Sequence, residues 1–454
     1  MTPLALTLWP STRALRHWLA GLLAVLAASS AMAAEDEDHL LYKLQPRDTL
    51  LSLVSQYMQG PDALAQIVKL NKIFNPNTMP VGYQLKIPRN LIKYTPSTAT
   101  VTRLNCRTIT RLEGDTAVPV QSGDTLAEGA VVRIPAGCQL AVTLEDASVL
   151  RMMSGAVIKL KTLRRNMLEN SPEVRVELLD GRVEVDVPRK RQGGDAPFEI
   201  RTPTSVAGVR GTEFRVGFDA RKRNSQVEVL TGVVAAQGSA DRAVQRANAG
   251  QGVPIEADGK ALPVENLLVA PRFVLGAVAG GSTSANNANS SADWLLKFNA
   301  PPEAKQTVVR RSEDASFSFI YSEELLGQPE LAVSDFGSKT VFQQWASVSA
   351  TGITGYSANY GICKGYKRLD AWRCNINFNM TGLTNPRLRF EKLEEKGAAL
   401  VILDQDIKIT ANDQLVLRGV PSGQYQWKLD YDLGANRRVT LNGQFELIAI
   451  PSEQ

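Results

Sequence analysis

The sequence predicts a multidomain, mainly β chain, and three observations carry that reading. From about residue 105 to the end, apolar and polar residues alternate in short runs separated by Gly, Pro, Asn and Asp, the period-two pattern of half-buried strands. Helical spacing of apolar residues is found in two short neighbouring stretches, Leu50 to Tyr57 and Leu64 to Leu70, bracketed by short β-like runs. Gly276 to Ser291 is rich in Gly, Ser, Ala and Asn, which predicts a linker over 276–292 that sets off a β-rich region at 293–454.

The N-terminal segment carries Arg13 and Arg16, a mostly apolar or small run from Trp18 to Ala28, and then Ala31-Met32-Ala33. That is the layout of a secretory signal over 1–33, cut after Ala33. Its apolar core is shorter than the roughly 20 residues a spanning helix needs, and no later stretch is long and apolar enough to span. The expected setting is the periplasm, with no transmembrane span in the mature chain. Lys and Arg total 51 against 46 Asp and Glu, for a formal charge of +5. The signal supplies two of those positives, so the mature chain is roughly balanced. Basic runs at Arg164-Arg165, Arg189-Lys190-Arg191 and Arg221-Lys222-Arg223 lie beside turn-like sequence and read as solvated loop charge. Contact with an anionic envelope polymer or an acidic partner face is the alternative, and export excludes nucleic acid.

Residues 40–90 read as a small α+β unit of order βααβ. Tyr42-Lys43-Leu44-Gln45 is a short strand, and Asp48-Thr49 caps a helix with Leu50, Leu53, Val54 and Tyr57 inward. Asp62 caps a second helix with Leu64, Ile67, Val68 and Leu70 inward, and Leu85-Lys86-Ile87-Pro88 closes the unit. In order and spacing this resembles the LysM glycan-binding module. The resemblance implies binding of N-acetylated glycan chains, hence peptidoglycan, in a groove between the first strand–helix loop and the loop before the last strand. On this sequence the positions are Asp48, Thr49, Leu50, Ile73, Asn75, Asn77 and Met79. Where the family usually has Gly before the Asp, this chain has Arg47.

The central region contains Phe198-Glu-Ile-Arg-Thr-Pro-Thr-Ser-Val-Ala-Gly-Val-Arg-Gly-Thr-Glu-Phe-Arg-Val216. Its two alternating runs predict one strand ended by Pro203 and a second at Glu213 to Val216, with Gly208 and Gly211 between them where backbones approach closely. Arg210 and Glu213 read as a structural ion pair or strand-end contacts. Further β runs lie at Thr110–Thr116, Leu126–Ile134 and Val142–Arg151 upstream and at Gln226–Val234 and Ala249–Gly252 downstream. Together these resemble the FecR periplasmic domain over 105–256, which implies an all-β fold, β-roll or jelly-roll-like, with a sensory or scaffolding role. One departure is Asp146-Ala147, where the family often has Asp-Gly and a primed turn is easier.

Beyond the linker, alternating runs such as Ser316–Tyr321, Thr340–Phe342, Cys374–Asn379 and Tyr425–Tyr431 suggest one or two Ig-like β-sandwiches. The stretch Leu417 to Trp427 resembles the last hairpin of fibronectin type III-like modules. Trp294, Trp345, Trp372 and Trp427 read as sandwich core or rim. Four cysteines fall as two near pairs, Cys106 with Cys138 and Cys363 with Cys374. Export permits disulfides, free buried thiols are the alternative, and neither pair has metal-ligand spacing or a nearby His.

Histidine bears on catalysis. His17 lies in the signal, leaving His39 alone in the mature chain, so neither a common zinc hydrolase site nor a Cys-His or Ser-His pair can be assembled. A glycosidase working with two carboxylates escapes that argument, but no glycosidase motif accompanies the many Asp and Glu residues. The sequence therefore predicts a non-enzyme with no cofactor and no metal. The expected role is a peptidoglycan-bound scaffold or sensor working through an envelope protein partner, a membrane sensor or receptor. A purely structural envelope protein is the rival, and a peptidoglycan hydrolase the distant one. Transcription-regulating FecR relatives have an inner-membrane helix and a cytoplasmic arm that controls a sigma factor. This chain is expected to have neither and to signal only through such a partner.

Overall fold

Leu40, Leu50, Leu53, Ile67, Leu85 and Ile87 bury one face each of two short strands and two short helices, and that shared core defines the first part of the chain. The structure, a computed structural model, describes residues 39–114, 116–188, 198–209, 211–241, 243–274, 294–317, 320–333, 339–368, 371–380, 383–394, 398–408, 414–432 and 438–451. The expected signal 1–33, the linker 276–292, the basic run Arg189–Arg191 and Arg210 lie outside the described residues. Two units result: one runs to Thr95 and includes Asn166–Asn170, the other takes Pro96–Arg165 and the chain from Ser171.

The first unit runs β1 (His39–Lys43), α1 (Leu50–Tyr57), α2 (Ala63–Leu70) and β2 (Gln84–Pro88), with β1 and β2 antiparallel and Tyr42 opposite Leu85. Thr49 caps α1 in a reciprocal box with Ser52, which satisfies backbone N–H groups that the first turn leaves unpaired. Asp62 stands at the N-cap of α2, yet its side chain makes no capping bond, against expectation. Leu70 is 36 % exposed instead of inward; Ala63 and Ile67 carry the buried face of this eight-residue helix. Asn71, just past α2, bonds the Ile67 carbonyl and both backbone groups of Lys86, clamping the helix to β2.

In the second unit, strands between Ala99 and Asn266 close into a barrel. Those that matter below are β3 (Ala99–Leu104), β4 (Leu140–Leu144), β5 (Val149–Met152), β6 (Ser171–Asp186), β7 (Phe198–Arg201), β8 (Ser205–Val209), β9 (Glu213–Asp219), β10 (Asn224–Thr231), β11 (Val233–Gly238), β12 (Gln251–Ile255) and β13 (Glu265–Asn266). Strand β6 serves both faces: its first half pairs parallel with β7, its second half antiparallel with β9 and β5. Gly181 marks the change, with φ +82° and the Ala156 backbone only 2.6 Å from where a Cβ would sit.

The Phe198–Val216 stretch makes three strands, not two. After Pro203 the chain turns through hydrogen-bonded Thr202, Thr204 and Ser205 hydroxyls, two of them also reaching Ser225, and enters β8, which pairs with β7 and β11. The expected close approach at Gly208 is absent, its nearest neighbour being 4.0 Å from a built Cβ; Gly211 does adopt a positive φ of 62°. Arg164 and Arg165 also depart from expectation. They lie on the strand Val157–Asn166, Arg164 bonding Glu173 at 3.0 Å and Arg165 within 3.7 Å of Glu145. Arg221 to Arg223 do form an exposed turn.

The C-terminal region contributes β14 (Gln306–Ser312), β15 (Val341–Val348), β16 (Thr354–Arg368), β17 (Thr384–Leu393), β18 (Ala399–Asp406), β19 (Gly423–Asp432) and β20 (Arg438–Pro451) to a single 10-stranded sheet among the described residues. Long β16 pairs antiparallel with β15 and parallel with β20, joining two cores in the region where the sequence suggests one or two Ig-like sandwiches. Trp345 and Trp427 are buried, Trp372 is half-buried, and the side chain of Trp294 lies outside the described set. The expected strand at Ser316 begins only at Ile320. Both cysteine pairs form disulfides, with Cα atoms 5.6 Å apart for Cys106–Cys138 and 6.0 Å for Cys363–Cys374. No helix among the described residues is long and apolar enough to cross a membrane.

Candidate functional site

In the first unit, backbone bonds from Leu44 N–H to Tyr83 O and from Gly82 N–H to Leu44 O hold the loop after β1 beside the loop before β2. Asp48 faces its own loop: Oδ2 accepts from the Tyr42 hydroxyl at 2.9 Å and from the Gln45 N–H at 2.7 Å. Burial, together with that bond, pushes the Tyr42 phenol up to about 12. The Thr49 hydroxyl is occupied by the helix cap. Leu50, expected at the glycan surface, is 1 % exposed, because it is the first inward position of α1; its side chain is core. Arg47, just before Asp48, adopts φ +80°, a left-handed backbone geometry that glycine more often supplies.

Asn75 and Asn77 lie exposed on the second loop, Asn75 Oδ1 accepting from the Asn77 N–H at 3.0 Å, while Ile73 and Met79 are half-buried against the core. Phe74, within the stretch Ile73 to Pro80 that the sequence places at this loop, is fully exposed between them, and Leu51 and Val81 are 66 % and 65 % exposed.

A second constellation was not anticipated at all. Directly paired residues on neighbouring barrel strands share a face, and their register here lines up Arg103 (β3), Ala141 (β4), Arg151 (β5), Glu184 (β6), Arg215 (β9), Glu228 (β10), Gly252 (β12) and Glu265 (β13) in one row. The C-terminal region covers it. Arg310 bonds Glu184 at 2.8 Å and Glu323 at 2.7 Å. Glu228 receives Arg182 at 3.0 Å and the Thr354 N–H at 2.8 Å, and Arg215 donates to Gly355 O at 3.0 Å. Glu265 accepts from Ser349 and Thr351. Packing is close as well: a Cβ on Gly355 would overlap the Leu268 backbone carbonyl, and one on Gly252 would lie 2.9 Å from the Ile353 side chain. Burial by itself would raise the Glu184 carboxyl, but Arg310 and Arg215 overcome it and hold the group at about 2. Burial likewise disfavours the charge of Arg310, yet Glu184 and Glu323 leave it above its ordinary value. Glu213, at the start of β9, is pushed up by burial and by Asp186.

Among the described residues no group of three His, Cys, Asp or Glu side chains is placed to hold a metal. Two crystal structures, both described as an anti-sigma factor from Parabacteroides distasonis ATCC 8503, are similar at 24 % and 23 % identity, each with a TM-score of 0.25. Each match covers 30 % of this chain and 59 % of that chain, so the chain spans less than two thirds of their length. A search of curated proteins finds no match. Residues 130–235 hold β4 to β10 and the first half of β11. The chain is a multidomain, mainly β protein whose residues 130–235 match the FecR protein family.

Proposed function

We propose that this protein is a non-enzymatic scaffold of the bacterial envelope, acting in signalling or regulation through protein contacts while its first unit holds peptidoglycan. The FecR match over 130–235 is the observation that carries the regulatory part. The glycan part is supported by the βααβ order and by two adjoining loops that expose amides beside apolar side chains, a combination suited to acetamide groups and sugar faces. On this reading Asn75, Asn77 and Phe74, with Met79 and Ile73 behind them, contact glycan, whereas Asp48 and Thr49 set the loop shape. Secretion to the periplasm by the signal at 1–33 completes the proposal, and a membrane sensor or receptor is the kind of partner it requires.

The test is co-sedimentation of residues 34–454 with purified peptidoglycan sacculi, beside Phe74→Asp and a deletion of 34–95. Binding should fall several-fold in Phe74→Asp and vanish in the deletion; equal pelleting of all three proteins would refute the glycan part. A structural role is the second reading, favoured by the buried charge row that joins the barrel to the C-terminal region. Expression profiling of a deletion strain separates the two: altered transcription with normal cell shape supports regulation, and the reverse supports structure.

A further inference from the structure

The charge row loses its alternation at Gly252, between Glu228 and Glu265, and at Ala141, between Arg151 and Arg103, and a cavity opens at the Ala141 end. Glu228, Arg215, Glu184 and Arg151 alternate in sign; the next position, where an acid would continue the pattern before Arg103, is the methyl group of Ala141. A cavity of about 340 Å³ is lined there by Arg103, Ala141 and Arg151 from the barrel and by Phe317, Trp427 and Tyr431 from the C-terminal region. Arg103 Nη2 is buried, and no acceptor among the described residues reaches it. The Arg103 guanidinium carbon lies 5.9 Å from the centre of the Tyr431 ring, a cation–π contact weaker than a charge-assisted bond to a carboxylate.

A guanidinium nitrogen buried with no carboxylate bonded to it is unfavourable, and groups perturbed by burial beside a cavity concentrate at binding sites. Burial holds Arg103 below its ordinary pKa and Arg151 adds to that, with Tyr431 and Asp314 opposing. The cavity size falls at the lower end of small-molecule sites. Glu184, already paired with Arg310, and Glu213 also line it, so three cations face two carboxylates there, which suits an occupant with a single negative charge and disfavours phosphate or a diacid.

We propose that this cavity binds a small organic monocarboxylate with an apolar body. The carboxylate sits over Ala141 between Arg103 and Arg151, supplying the missing acid of the row, and the apolar part packs against Phe317 and Trp427. Because the cavity is lined from both the barrel and the C-terminal region, the ligand ties the two together. This site is independent of the glycan loops.

The experiment is thermal unfolding of residues 34–454 titrated with phenylacetate, with neutral phenylacetamide and with inorganic phosphate. A ligand that binds only the folded chain raises Tm in step with its concentration. Phenylacetate should do so, and the amide and phosphate should not. Ala141→Asp places a carboxylate in the gap permanently, and should raise the Tm of the ligand-free protein and abolish the phenylacetate response. Arg103→Met removes the unpaired cation and should have the same two effects, which keeps the test decisive if the aspartate disturbs β4. Equal shifts from phenylacetate and phenylacetamide, no shift from either, or an undiminished phenylacetate shift in both variants would each overturn the proposal.

Discussion

Individual residues in this chain hold conformations that their side chains resist. Arg47 and Ala147 sit at φ +80° and +70°, where a Cβ crowds the following carbonyl at a cost of about 1–2 kcal/mol. The Leu144–Ser148 turn forms nonetheless, because Asp146 Oδ1 accepts the Ser148 N–H at 3.0 Å and the Ala147 N–H reaches Leu144 O at 3.1 Å. Arg47→Gly and Ala147→Gly should each therefore stabilise the protein by about 1 kcal/mol, less than the full strain because glycine also widens the unfolded ensemble; urea titration measures it. Glu184 carries a pH dependence. Its folded value of about 2 lies below the ordinary 4.5, so its contribution is fully present above about pH 4.5 and is lost as the pH falls toward 2. Glu184→Gln should destabilise by about 3 kcal/mol at pH 7, with the gap to wild type closing below pH 4.5 in parallel denaturation series.

Among the elements, β18 is the least protected. It pairs with β17 alone among the described residues, and Leu400, Val401 and Ile402 are 58 %, 46 % and 42 % exposed. An apolar strand with one open edge is a template for pairing with another chain. Ile402→Lys should lower self-association in sedimentation velocity while changing Tm little, since the side chain it replaces makes few core contacts. The disulfides act on larger pieces. Cys106–Cys138 spans 32 residues and Cys363–Cys374 spans 11, so loop-closure entropy makes the first the more stabilising. Paired Cys→Ser replacement should cost about 4 and about 3 kcal/mol respectively, read from urea midpoints.

At the scale of the second unit, the barrel and the C-terminal region meet across polar groups that neither could bury alone. Glu228 is 0 % exposed and receives Arg182 and the Thr354 N–H, so removing it strands Arg182 and Arg215 in a desiccated interface. Glu228→Ala should cost about 3–5 kcal/mol. In calorimetry the barrel and the C-terminal region should unfold together in wild type and separate into two transitions in the variant. A single transition that merely moves down in temperature would show that the coupling lies in the close packing at Gly252 and Gly355 instead.

The sequence by itself determined what depends on neighbours a few residues away. Period-two alternation marked the strands, Thr49 marked the start of α1, near pairing of cysteines marked the disulfides, and the signature around Phe198 marked the region that matches the FecR family. Short-range hydrogen bonds and side-chain alternation produce all of these. Only the tertiary structure decided that Leu50 is core rather than surface, that Ser205–Val209 is a strand of its own, that Phe74 stands in water, and that Arg103, Arg151, Glu184, Arg215, Glu228 and Glu265 share one row. Those residues are spread over more than half of the barrel sequence, and what brings them together is cross-strand register. Register is set by burial of the opposite barrel face, a sum over many distant apolar contacts that no local window of sequence contains.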